Sequence, residues 1–173
     1  MLRSCCRVYP FPKSWHTGNN WYTLAGTMTG SWITGDNPDP NSSQVMKNGS
    51  DVAIAACGTI VYTAMCGVEM LHEHDVSARL INVPCLKPLD ETALQELCKG
   101  VHAILAAEEH SFVCGLSSAV CWALRRNRIL MEAVAITDVF GQSAHDSKTL
   151  LTQYGLVEDN IEAAAFRVLK DAM

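Results

Sequence analysis

No run of about eighteen apolar residues, the length a bilayer-spanning helix needs, occurs anywhere in the chain. Its first residues carry Arg3, Arg7 and Lys13 without the apolar block of a signal peptide. Both absences argue against membrane spanning and against secretion, and the expected location is the cytoplasm. Basic charge is also scarce: 13 Lys and Arg against 18 Asp and Glu give a formal charge of -5 and a pI near 5.6. Neutralising phosphates needs a basic face, so a protein that wraps nucleic acid is disfavoured. The only basic knot is Arg125, Arg126 and Arg128. No Cys-x-x-Cys pair is present, and the six histidines do not fall at the spacing of a structural zinc site. Internal repeats and low-complexity tracts are lacking too.

The 8 cysteines that are there lie mostly in apolar runs, at Cys57, Cys66, Cys85, Cys98, Cys114 and Cys121, with Cys5 and Cys6 adjacent near the start. Most are expected to be reduced, buried, small hydrophobes rather than a disulfide framework. With 49% hydrophobic content, 173 residues suffice for one ordinary core and leave no room for a second full domain.

Two regions are expected. Residues 1–48 hold Trp15, Trp21 and Trp32, four of the 6 prolines and the polar cluster from Gly35 to Ser43, which reads as a loop-rich arm. Leaving three tryptophans in water is costly, so part of that arm is expected to pack on its own domain or on a partner. Residues 49–173 change to short apolar runs alternating with helical periodicity, which predicts strand-helix units on a mainly parallel sheet.

Val52 to Ala56 is continuous and apolar, as a strand covered on both faces should be. Gly58 turns the chain, and Thr59 is the expected N-cap of a helix from Ile60 to about His74 with Val61, Ala64, Met65, Val68 and Leu71 on its buried stripe. A second strand spans Ala78 to Val83, and Asp90 caps the helix after it. The third strand, His102 to Ala107, is expected to end at Glu108-Glu109-His110, where parallel sheets place ligand sites. A Glu-His pair there suits acid-base chemistry, or equally a hydrogen-bonding role toward the loop and the next helix. A helix through Val120 and Leu124, a strand from Glu132 to Ile136, a short helix capped by Asp146 and a last helix from Glu158 to Leu169 complete the pattern.

The ordered series Gly49 to Gly58, Lys87-Pro88-Leu89-Asp90, Glu108-Glu109-His110, Phe140-Gly141-Gln142-Ser143 and Tyr154-Gly155-Leu156 resembles the carboxy-terminal domain of transketolase-type thiamine enzymes. The tail favours the transketolase or deoxyxylulose-phosphate synthase branch over the dehydrogenase beta subunits, and Glu-Glu-His leans to transketolase. The family usually has Gly-Gly-Leu-Gly-Ser-Ala-Val where this chain reads Cys114-Gly115-Leu116-Ser117-Ser118-Ala119-Val120. Two glycines are thus replaced, which implies an altered turn or a less intimate neighbouring contact.

The resemblance implies an α/β fold: a three-layer α/β/α sandwich on a five-stranded, mostly parallel mixed sheet. One strand would be antiparallel, and the fifth strand would come from the region before Asp51, with residues 31–47 the candidate stretch. It also implies a subunit or fragment that supports an oligomer, a homodimer or hetero-oligomer, together with the chain carrying the thiamine diphosphate-binding domains. Thiamine diphosphate and Mg are implied for the complete enzyme, a two-carbon ketol transferase acting on sugar phosphates, and none bound by this chain alone. The Gly-Asp-Gly...Asn motif of the diphosphate loop is missing, with Gly35-Asp36-Asn37 its nearest string. Candidate interface or switch-point residues are Thr59, Glu108, Glu109, His110, Gly115, Ser117 and Ser143, with no catalytic, cofactor-binding or metal residue assigned. The rival reading is a stand-alone small-ligand or regulatory binding module, in which Thr59, Glu109 and Ser143 hold the ligand. A subunit should expose an apolar patch, whereas a module should bind as an isolated monomer.

Overall fold

The computed structural model describes residues 42–172. The three tryptophans of the arm and Gly35-Asp36-Asn37 lie outside the described residues. Ten elements follow in order: β1 (Gln44–Lys47), β2 (Val52–Ala56), α1 (Ile60–Glu73), β3 (Ala78–Asn82), α2 (Glu91–Leu97), β4 (Ala103–Ser111), α3 (Leu116–Ala123), β5 (Leu130–Ile136), α4 (Ser147–Gln153) and α5 (Glu158–Ala172). The sheet has the order β1-β3-β2-β4-β5. β2, β3, β4 and β5 are parallel, and β1 pairs antiparallel with β3, Gln44 facing Asn82. The fifth strand expected within residues 31–47 is the four-residue edge β1, and it is the antiparallel one.

Side-chain alternation on the strands builds two cores. Val52, Ile54, Ala56, Leu80 and Leu105 face α1 and α5, while Ala53, Ala55, Ile81 and Ile104 face α2 and α3. β2 is wholly inaccessible because helices cover both its faces. The α1 stripe is buried as expected, and it meets Ile161, Ala164, Ala165 and Val168 of α5. Gly67 lets these helices approach, since a Cβ there would lie 2.8 Å from Ile161 Cγ2. Side-chain clips hold the layers at their rims. Lys47 Nζ lies 2.6 Å from Glu69 Oε1, and Arg79 donates to the carbonyls of Leu97 and Lys99 at the end of α2.

Three expectations are corrected. Thr59 is not a side-chain cap: its backbone is already helical, at φ -70 and ψ -27, and its hydroxyl caps nothing. Asp90 and Asp146 do cap, accepting from the N–H of Ala93 at 2.9 Å and of Thr149 at 2.7 Å. β4 does not stop before Glu108-Glu109-His110 but runs through them to Ser111, because pairing with β5 resumes at Ser111↔Ile136 beyond a register shift. Of the six described cysteines, all free, Cys98 is buried while Cys114 and Cys121 are exposed. Cys121 sits on the outward side of α3, and the turn lifts Cys114 away from the sheet. Among the described residues no helix is long and apolar enough to cross a membrane.

Candidate functional site

The chain moves from β2 to β3 on one side and then crosses to β4 on the other, so the carboxyl ends of β2 and β4 flank the switch point of the sheet. Glu108 stands there and is 1% exposed. Strand alternation turns it inward, while Glu109 and His110 are exposed. Its Oε2 accepts from the N–H of Leu116 at 2.6 Å, and its Oε1 accepts from the N–H of Ser117 at 2.9 Å and from the Ser117 hydroxyl at 2.6 Å. A carboxylate on the strand therefore caps the first turn of α3, whose N-cap residue, Gly115, has no side chain to do so. Gly115 is required for steric reasons. A Cβ there would collide with Glu108 Oε2 and lie 2.5 Å from the Ser111 carbonyl oxygen.

Glu108, Gly115 and Ser117 thus form one unit. Ser117, standing at a position where the resembled family has glycine, supplies a hydroxyl that glycine lacks. Cys114, the other replaced glycine, holds φ at +64, so the left-handed turn persists with a side chain on it. Ser118 secures that turn: its hydroxyl accepts from the Cys114 N–H at 2.9 Å and donates to the Phe112 carbonyl at 2.8 Å.

The remaining predicted residues do not converge on this unit. Thr59, Glu109 and Ser143 are exposed, and among the described residues none of their side chains makes a hydrogen bond. His110 uses Nδ1 on the neighbouring Ser111 carbonyl at 3.1 Å. Of the two glutamates in the acid-base reading, Glu108 is committed to α3 by all its hydrogen bonds, while Glu109 stays exposed beside His110. Cys57, at the end of β2, feels the acidic pair: burial first, then the charges of Glu108 and Glu109, push its thiol up from 9.0 to about 11. It is a protonated, unreactive thiol at neutral pH.

A second motif closes the same end of the sheet. The Tyr154 hydroxyl accepts from the Gln142 N–H at 2.8 Å and donates to the Phe140 carbonyl at 3.3 Å. The Tyr-Gly-Leu turn after α4 therefore pins the Phe-Gly-Gln-Ser loop after β5, with Gln153 on Gln142 as a further contact. Residue reading missed what these loops display. Phe112 and Val113 after β4 are 41% and 53% exposed, and Val139 and Phe140 after β5 are 52% and 97% exposed. Both loops leave the carboxyl ends of adjacent strands. The available signal was an apolar pair placed beyond each strand end among turn residues.

A family profile described as "Transketolase, C-terminal domain" matches residues 42–161. A 1-deoxy-D-xylulose-5-phosphate synthase of Picosynechococcus sp. is 30% identical over 156 residues, covering 85% of this chain and 24% of that protein. A putative transketolase C-terminal section of Methanocaldococcus jannaschii is 30% identical over 129 residues, covering 73% of this chain and 40% of that protein. Among solved structures, a split-gene transketolase described as an inactive beta4 tetramer aligns with a TM-score of 0.71 and 35% identity, covering 76% of this chain and 43% of that one. The chain spans about a quarter or less of these synthases and less than half of the Methanocaldococcus section and of the split-gene transketolase chain.

Proposed function

Because this chain belongs to the transketolase carboxy-terminal domain family, we propose that it is the carboxy-terminal subunit or fragment of a thiamine diphosphate-dependent, transketolase-type enzyme. The complete enzyme transfers a two-carbon ketol unit between sugar phosphates. This chain's part is assembly: it supports an active site that other domains build, as a homodimer or in a hetero-oligomer with the chain that carries them. The observation that carries this reading is the set of exposed apolar side chains, Phe112, Val113, Val139 and Phe140, on two loops that are each tied by side-chain hydrogen bonds. An aromatic ring that is 97% exposed on a pinned loop is a surface built for contact.

On this reading the cofactor is held by the other chain. Metal-diphosphate binding needs free carboxylate and amide oxygens, yet the one carboxylate buried at the switch point is committed to three hydrogen bonds with α3. Among the described residues, moreover, no three His, Cys, Asp or Glu side chains group together as metal ligands. The chemistry of the cofactor is assigned to the other chain.

The experiment is ketol transfer from xylulose 5-phosphate with thiamine diphosphate and magnesium, run on this chain alone and on its mixture with a candidate chain bearing the cofactor-binding domains. Activity in the mixture only is the expected result. Activity of the chain alone overturns the assembly role, and inactivity of both samples returns the binding-module reading.

A further inference from the structure

The arginine knot at the opposite end of the sheet plays no part in that assembly surface. α3 starts where β4 ends and finishes at Ala123, beside the start of β5, where Leu130 pairs with Ala103. Trp122 is 63% exposed there, with Cys121 exposed beside it in sequence and Leu130 exposed at the start of β5. The Arg125 guanidinium lies 4.4 Å from the Trp122 ring centroid, donates to the Trp122 carbonyl at 2.6 Å and reaches Glu91 Oε2 at 2.8 Å. Gln95 of α2 donates to the Ala123 carbonyl at 2.7 Å. The last carbonyls of α3, a negative pole, are thereby covered by a cation and an amide. Arg126 and Arg128 are exposed, and among the described residues neither has an ion-pair partner.

We propose that this end of α3 and the turn after it, Trp122, Arg125, Arg126 and Arg128, form a docking site for an acidic segment of a partner protein. Arginine and tryptophan are the side chains that most often dominate protein interfaces, and guanidinium forks match carboxylates in pairs. Glu91 on Arg125 already shows a carboxylate held by this patch. Charge complementarity selects the occupant. A long polyanion, nucleic acid or an anionic bilayer, would extend past three arginines onto a chain of net charge -5 and be repelled. A second copy laid face to face would set three arginines against three. A short acidic segment with an apolar residue for the indole meets neither obstacle.

The test titrates a fluorescein-labelled, glutamate-rich peptide with one central phenylalanine against the whole chain at low salt, read by fluorescence anisotropy. Saturable binding is expected, weakened about tenfold by R126E/R128E and again by Trp122→Ala, and weakened by added salt. Should Trp122→Ala lose its circular dichroism signal, the exposed R126Q/R128Q pair carries the comparison alone. Absence of binding, or binding that the arginine variants leave unchanged, overturns the proposal. So does tighter binding of oligothymidylate or of phosphatidylserine vesicles, which would assign the patch to nucleic acid or membrane.

Discussion

Glu108 is where one side chain decides the most. Replacing it with alanine strands the amides of Leu116 and Ser117 inside the protein and removes a buried carboxylate's volume. Glu108→Ala is expected to cost about 3 kcal/mol in urea unfolding, the usual scale for breaking a buried charged hydrogen-bond set. Cys114→Gly works in the opposite sense. It relieves a left-handed residue at φ +64 and should raise stability by up to about 1 kcal/mol in the same assay. The thiols set an alkaline limit. Cys57 and Cys98 are raised from 9.0 to about 11, chiefly by burial, so the folded chain keeps protons that the unfolded chain sheds above pH 9. That stability is fully present below pH 9 and is lost as pH rises toward 11. Chemical denaturation in steps across that window should show the midpoint falling, and C57S/C98S should flatten the fall.

Among elements, the α1–α5 contact carries one core. Gly67→Val would drive a branched side chain into Ile161 and is expected to lower stability by about 1–3 kcal/mol, measured as a lower urea midpoint with the slope unchanged. Most of these elements were legible in the sequence, because burial on two faces leaves continuous apolar runs such as Val52–Ala56 and burial on one face leaves the α1 stripe. Asp90 and Asp146 were legible caps for the same kind of reason: local chemistry decides them. β1 was not legible by periodicity. It has four residues, ends in Lys47 and carries a register irregularity between Val45 and Lys47, so no alternation develops. The extension of β4 was hidden because its last residues are polar and lie beyond β2, with β5 as their one neighbour. At the site, Glu108 and Glu109 look alike in sequence. Which of them turns inward depends on strand phase, and the partner that claims Glu108 is a helix that starts eight residues later.

For the whole molecule, the proposed assembly role makes the loops after β4 and β5 the contact surface. Phe140→Asp removes no buried packing, since the ring is 97% exposed, and is expected to leave the unfolding midpoint within about 0.5 kcal/mol of the parent. It should nonetheless abolish co-elution with the cofactor-bearing chain and the activity of the mixture. Retained co-elution would place the contact surface elsewhere.

The antiparallel sense of β1 also fixes the door through which the polypeptide enters. Gln44 opposes Asn82, the last residue of β3, so the backbone arrives at the end of the sheet that bears Phe112 and Phe140. A parallel edge strand would have brought it in about 17 Å away, at the far end of a five-residue strand. A partner seated on Phe112 and Phe140, as proposed, would therefore lie at the same end of the sheet as the start of β1.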